Sequence, residues 1–419
     1  MPTPRTSKPR ILEPQRIQGE IRFELPDDAL APDHPARLLW RVLGTLDLSG
    51  FSTACQSVEG EAGRSMLSPR MLLTLWGYAI SVGIGSAREI ARLTMTDTAF
   101  RWIVGDLKVS HHKLSGFRVG HAAALDMLMT DVLASLMEKD LISLELVSQD
   151  GTRTRASATA PSFRRRASLL ECREQAALHL KAVLAAADDP AYTRAQHARR
   201  EAAARDFQER VDAAITTAEE LQKTRLPKQK EARASTTDAD ARVMKMADGG
   251  FRPAFNVQYG VAGSELGGPR TIVGVAVSNV GSDMGSLTPM AEQIEARTGE
   301  RPNVLLADGG HENHDDIVKA RRMGIDVLVP PSDRAKPIEQ MRAEGADPEV
   351  IAWRERMESL EAKQLYRARA GLCELANAHQ KSHQGVTQFL VRGIPKVTSV
   401  VLLGAISSNI LQHAKHLLA

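Results

Sequence analysis

Apolar positions fall into distinct textures along the chain. From about Pro35 to Leu141 they recur at helical spacing, as in Leu38, Leu39, Val42, Leu43 and Leu46. Ser68-Pro69 sets an N-cap before a proline at the first helical position, and the run Met71 to Trp76 predicts a buried helix behind it. Ser86-Ala87-Arg88-Glu89 reads as a capping box. Ser115 is expected to open a long helix through Leu125, Leu128, Val132 and Leu136. Between Leu141 and Gln149 apolar and polar positions partly alternate, which predicts a strand ending at Asp150-Gly151-Thr152. Ser168 to Ala232 turns charged and helix-forming, with a break near Asp188-Asp189-Pro190, and so predicts an antiparallel helical hairpin. In its second half Phe207, Val211, Ala214, Ala218 and Leu221 keep the spacing of a coiled-coil seam, weakened by small residues.

Strand texture returns at Phe255 to Val261 and Thr271 to Val277, followed by a helix from Asp283 to Thr298. Val304 to Ala307, after Asn303, is a short apolar run that meets Asp308-Gly309-Gly310, where the glycines suit a sharp turn at the end of a buried strand. A helix from Asp315 to Met323 and a strand from Asp326 to Val329, closed by Pro330-Pro331, complete the series. The tail from Lys396 to Ala419 reads as an apolar packing helix. With the hairpin set aside, these elements make a mixed five-stranded α/β sheet.

Composition narrows the picture only modestly. A chain of 419 residues with 43% hydrophobic and 25% charged content has room for two or three ordinary domains. The formal net charge of +3 says little about partners, so charge placement must carry that argument. Cys55, Cys172 and Cys373 lie far apart, which argues against a disulfide framework or a zinc site and fits a reducing, cytoplasmic setting. No run reaches the ~18 apolar residues of a membrane span. The first residues, Met1 to Gln18, are basic and proline-rich, and 1–34 is expected to be a basic arm rather than a secretion signal.

Candidate chemistry comes from three acids. Asp150 and Asp308 each follow an apolar strand and precede glycine, and the ends of central strands are where open α/β sheets place their ligands. Glu374 lies in a helical stretch with Lys381 two turns further along roughly the same face. Carboxylates converging from different elements suit hard divalent cations, and a two-metal site requires such convergence. No serine nucleophile elbow, zinc-spaced histidine pair or phosphate-binding glycine loop is present. Paired carboxylates also serve glycoside hydrolysis, but Arg153, Arg155, Arg164, Arg165 and Arg166 near the first acid favour a phosphate polymer.

These residues carry a resemblance to the DDE transposases of bacterial insertion sequences, in the branch with a helical N-terminal domain and a helical insertion after the first acid. The N-terminal part resembles that family at Ser68 to Leu72, Ser86 to Glu89 and His112 to Arg118. The core does so at Asp150-Gly151-Thr152, Asp238 to Asn256, Ala307 to Gly310 and Tyr366 to Lys381. The resemblance implies an RNase H-like catalytic core and a magnesium (or manganese) site of two ions held by Asp150, Asp308 and Glu374. It also implies double-stranded DNA, both element ends and target, bound near Tyr366, Arg369 and Lys381, and a homodimer or larger assembly. One departure is visible. Four residues separate Arg369 from Glu374 where the family pattern has three, and on an ideal helix the extra residue turns Arg369 by ~100° relative to the acid.

The expected organisation is a helical DNA-binding domain over 35–140, a catalytic core over 141–167 and 235–395, a helical insertion over 168–234 and a C-terminal helix over 396–419. For the N-terminal helices a DNA-binding unit, with Arg88, Arg92, Arg101, His111, His112, Lys113 and Arg118 among the short helices, competes with an ordinary bundle bearing solvated charges. For the whole chain, a nuclease that cuts without joining and a non-catalytic DNA-binding relative are the rivals. His311 and Glu312 are left between the site and the next helix, whereas Asn313 suits an N-cap.

Overall fold

The computed structural model describes residues 25–52, 66–105, 107–187, 189–226, 229–264, 268–332 and 336–419. Most of the expected basic arm, residues 1–24, and Cys55 lie outside them.

The N-terminal helices are α1 (Pro35–Leu43), α2 (Pro69–Ser81), α3 (Ala87–Thr96), α4 (Thr98–Val104), α5 (His111–Gly120) and α6 (Ala122–Glu138). Ser68 caps α2 by accepting from the Met71 N–H at 3.4 Å, and Ser86 does the same for Glu89 at α3. Such a cap is worth about 1 kcal/mol. The capping box at α3 is only half made, because the Glu89 carboxylate turns to Arg92 instead of back to the cap. The single long helix expected from Ser115 is two helices. Ser110 caps α5, and the chain bends by 70° at His121, whose ring packs against Phe51 and Phe117.

The sheet is mixed and has six strands rather than five. They are β1 (Leu146–Arg155), β4 (Arg242–Lys245), β5 (Phe251–Ala262), β6 (Thr271–Ser278), β7 (Val304–Leu306) and β8 (Asp326–Leu328), with a separate small pair, β2 (Phe163–Arg164) and β3 (Ala234–Ser235). The order is β4-β5-β1-β7-β8, and β6 also pairs with β5. Strands β1, β4 and β6 run antiparallel to β5, while β7 and β8 run parallel to β1. The strand missing from the sequence reading is β4, whose Arg242, Val243 and Lys245 reach the surface and leave only Met244 buried. The parallel strands are covered on both faces, as parallel sheets require. Val147, Leu305 and Val327 face the main core, and their neighbours Leu146, Leu306 and Leu328 pack on Ala362 and Leu372.

Helices α7 (Arg166–Ala185) and α8 (Arg194–Lys223) form the insertion. Leu169 and Cys172, early in α7, pack on Val211, Ala214, Ile215 and Ala218, late in α8, so the two helices run antiparallel as expected. The β2–β3 pair ties the entry and exit of this hairpin together. Helices α9 (Leu287–Thr298), α10 (His314–Arg322), α11 (Ile338–Ala343), α12 (Pro348–Glu358) and α13 (Leu360–Tyr366) flank the sheet. A π-helical turn, Ala370–Glu374, leads directly into α14 (Leu375–Ser382). The last helix, α15 (Ile394–Leu417), is long and apolar enough to cross a membrane, contrary to the sequence expectation, but 67% of its apolar window is buried inside the protein. It lies against α1, α2, α6 and β6, and a helix apolar all round is a core element in such a setting.

Candidate active site

Strand β1 positions the first acid differently from the sequence expectation. It begins at Leu146 and runs through Asp150 to Arg155, so Asp150 lies inside the strand and not at its tip. Antiparallel pairing with β5 carries it onward, with Asp150 opposite Tyr259. Thr152 and Thr154 continue the buried alternation. The parallel partner β7 stops short: Leu146, Val147 and Ser148 pair with Val304, Leu305 and Leu306. That register, carried two residues further, brings Asp150 level with Asp308.

The glycine after each acid has a packing role. A Cβ on Gly151 would collide with the carboxylate of Asp283 and the amide of Gln258, so only glycine lets these side chains close over β1. Neither Gly309 nor Gly310 has positive φ, so the turn there does not depend on glycine's conformational freedom. Asp308 caps this short turn, its Oδ1 accepting from the Gly310 N–H at 3.0 Å.

Behind Asp308 lies a buried polar chain. His311 is fully buried, with Nδ1 2.8 Å from Asp308 Oδ1 and Nε2 3.3 Å from Gln258 Oε1. Gln149 also donates to Gln258 Oε1, at 3.2 Å. Gln258 Nε2 donates to Asp283 Oδ1 at 2.5 Å, Asn256 Nδ2 to the same oxygen at 2.7 Å, and Arg153 Nη2 to Asp283 Oδ2 at 2.8 Å. Because Gln258 turns its NH2 to a carboxylate, its oxygen faces His311 Nε2. Of the neighbours left open by sequence, Asn313 caps α10 through the Asp316 N–H, and Glu312 accepts from the Ser332 N–H.

The third acid comes from the π-turn. A π-turn takes one more residue than an α-turn, and here it absorbs the extra residue between Arg369 and Glu374. The 100° rotation expected of an ideal helix therefore does not occur. Arg369 Nη2 donates to Glu374 Oε1 at 2.7 Å across five positions. Leu372 and Cys373 point inward, and the Cys373 thiol, kept protonated by burial, donates to the Ser148 carbonyl at 2.8 Å. The turn is thus pinned to β1 two residues before Asp150. Asn377, one helical turn after Glu374, donates to Asp150 Oδ2 at 2.8 Å.

Electrostatics tie these groups together. Burial, and then the charge of Asp308, raise the pKa of Asp150 above the usual carboxylate range, against Arg369, His311 and the Asn377 hydrogen bond. The His311 hydrogen bond holds Asp308 below its ordinary value in spite of burial, with the Gly310 N–H and Arg369 helping. Burial opposes the charge of Arg369, yet Tyr366, Asp150, Glu374 and Asp308 together hold its pKa up. Its guanidinium carbon lies 5.9 Å from the centre of the Tyr366 ring. Burial lowers the pKa of Lys381, which feels both Asp150 and Arg153.

All six residues expected from the sequence therefore gather at one place. Asp150 feels the charge of Asp308, and Arg369 feels both aspartates while it bonds Glu374. Among the described residues, no group of three or more His, Cys, Asp or Glu side chains converges closely enough to hold a metal ion by itself. Sequence reasoning missed Asn377, Gln258 and Asp283. Asn377 had a legible signal, since it shares a helix face with Glu374 and Lys381. Gln258 and Asp283 had none, because strand pairing and a loop bring them in.

Two family models match the chain. One, described as Transposase domain (DUF772), covers residues 25–119, and the other, described as Transposase DDE domain, covers 335–414. The two matches support a DDE-type transposase of an insertion element. No curated protein and no solved structure matches it. The DDE match takes in Tyr366, Arg369, Glu374 and Lys381 of this transposase, and the DUF772 match spans α1 to α4 and nearly all of α5. Asp150 and Asp308 fall between the two matched segments, so their assignment rests on the geometry above. The transposase families matched imply a nucleic-acid-processing enzyme, and action on DNA is consistent with them.

Proposed function

We propose that this transposase cuts phosphodiester bonds at the ends of its element and joins the freed ends to target DNA, with Asp150, Asp308 and Glu374 as the acids of a magnesium site. The observation that carries the reading is the placement of Asp308 just past the end of β7, level with Asp150 on the neighbouring β1, so that Asp150 lies within reach of its charge. The order β6-β5-β1-β7-β8, antiparallel as far as β1 and parallel beyond it, supports an RNase H-like core. The donor set fits the ion: hard carboxylate oxygens, two of them crowded enough to disfavour full ionisation without a cation. When bound, magnesium or manganese, two ions in the two-metal scheme, would activate the attacking oxygen and stabilise the leaving one.

The chain's own groups do the rest. Asp150 and Asp308 bind as carboxylates, and Asn377 and His311 hold them in place. Lys381 and Arg369 neutralise backbone phosphates, which positions DNA without reading its sequence. Tyr366 packs beside Arg369 at the same rim. In the first step water attacks phosphorus and the 3′-oxygen leaves. In the second, that 3′-hydroxyl attacks the target strand, another in-line displacement that reuses the same groups. The N-terminal helices are the candidates for reading the terminal repeats, and pairing two ends calls for a dimer or larger assembly.

The test is cleavage and joining of labelled DNA carrying the element's ends, with and without magnesium, by wild type and Glu374→Ala. Metal-dependent joining that is lost in the variant supports the reading. Cleavage without joining moves the protein to a nuclease, and tight binding without cleavage under several metals moves it to a non-catalytic DNA-binding relative.

A further inference from the structure

Arg369 occupies an unusual position for a DNA-contacting residue. Its Nη2 is spent on Glu374 Oε1 at 2.7 Å, its side chain is only 16% exposed, and Asp150 and Asp308 both act on its charge. A guanidinium stays charged under all ordinary conditions. It therefore engages Glu374 directly and sets its charge against Asp150 and Asp308, the carboxylates that the proposed metal site would use. Glu374 itself is 55% exposed, so what keeps it in the cluster is the ion pair and not burial.

We propose that Arg369 is a built-in counter-ion that trades Glu374 for a DNA phosphate, so that metal binding and DNA binding promote each other. This rests on the metal-site reading above.

The argument is one of competing charges. With Arg369 on Glu374, a divalent cation near Asp150 and Asp308 meets a fixed positive charge, and the third acid is engaged. A phosphate on the site's rim offers the guanidinium a planar pair of acceptors, which its forked donors match better than any point charge does. Once it takes the phosphate, the opposing charge moves outward and Glu374 turns free for the metal. By linkage, whatever factor DNA contributes to metal affinity, metal contributes to DNA affinity. The π-turn suits this exchange. It holds Arg369 and Glu374 on one face, while Cys373 anchors the turn to β1 and leaves the two charged side chains as the groups that move. Free enzyme would thus carry a half-neutralised site that becomes competent only on DNA.

The experiment is manganese binding followed by electron paramagnetic resonance on the full chain, alone and with a duplex of arbitrary sequence at low salt. Wild type is expected to bind Mn2+ roughly fivefold or more tightly with the duplex, the lower end of ordinary coupling, and to bind the duplex more tightly with Mn2+ by the same factor. Arg369→Gln is expected to bind Mn2+ at least about fivefold more tightly than wild type without DNA, with little further gain from the duplex. Arg369→Lys, which keeps the charge and loses the fork, should bind Mn2+ as weakly as wild type. Equal or weaker binding by folded Arg369→Gln, or tight binding by Arg369→Lys, would overturn the proposal. So would independence of metal and DNA in wild type, a result that needs no variant. Asp150→Asn separates the two readings: Mn2+ binding that it does not alter, or no Mn2+ binding by wild type with or without the duplex, means that the metal site itself was misassigned.

Discussion

Asp308, two residues past the end of β7, stands level with Asp150 on the neighbouring β1, and their carboxyls are pushed in opposite directions, Asp150 toward the protonated form and Asp308 toward the ionised one. Two like charges close together cannot both ionise freely, and the protein resolves the conflict through their neighbours. Asp308 has the His311 bond and the Gly310 N–H, whereas Asp150 is deeper and has one amide, Asn377.

The opposite shifts make opposite predictions for stability. The pKa of Asp150 is raised on folding, so its contribution falls as pH rises from the unfolded value of about 4 through the folded one, and its charged form is a penalty above that. Asp308 is lowered, so its contribution is present above about 4 and is lost as pH falls through its folded value. In chelator at pH 7, Asp150→Asn should raise the melting temperature and Asp308→Asn should lower it, both differences fading at acid pH. Thermal melts of the three proteins across pH check this, and shifts of the same sign for both variants would refute it.

His311 is expected to matter without touching DNA. It fixes the direction of Asp308, and groups placed behind a metal-binding side chain commonly change affinity or activity by about 10- to 100-fold when removed. His311→Ala should therefore weaken Mn2+ binding and cleavage by about that range with DNA binding intact. Unchanged metal affinity in a folded variant would show that Asp308 needs no such support.

The π-turn yields a deletion test. Removing exposed Ala370 leaves Arg369 and Glu374 four positions apart, which a plain α-helix also places on one face. The deletion is expected to fold and to keep cleavage within about tenfold, a barrier change near 1.4 kcal/mol. Removing Leu375 instead rotates Asn377 and Lys381 by ~100° away from Glu374 and should abolish cleavage. Cleavage assays on both deletions decide the matter, and loss in the first alone would refute the role assigned to the extra residue.

Asp283 should prove structural as well as supportive. It is buried and accepts hydrogen bonds from Arg153, Asn256 and Gln258. Asp283→Ala strands these donors and is expected to destabilise the fold by roughly 3–5 kcal/mol in chemical denaturation. A loss under about 1 kcal/mol would mean that water replaces the carboxylate readily.

The sequence by itself determined the local elements and the acids. Helical spacing and caps placed α1 to α3, apolar runs placed five of the six strands of the main sheet, and the order of short motifs named Asp150, Asp308, Glu374, Tyr366, Arg369 and Lys381. Those signals survive in one dimension because periodicity and capping act between residues a few positions apart. Tertiary structure decided what depends on pairing between distant segments. Asp150 continues inside β1 because β5 supplies a partner past the point where β7 stops, and Asp-Gly, which reads as a turn, serves there as room for Asp283 and Gln258. The extra residue before Glu374 reads as a fault in helical phase. It becomes a π-turn because Leu372 and Cys373 have to be buried against β1 and β5 while Arg369 and Glu374 stay on the site, a demand that only the packed sheet can impose.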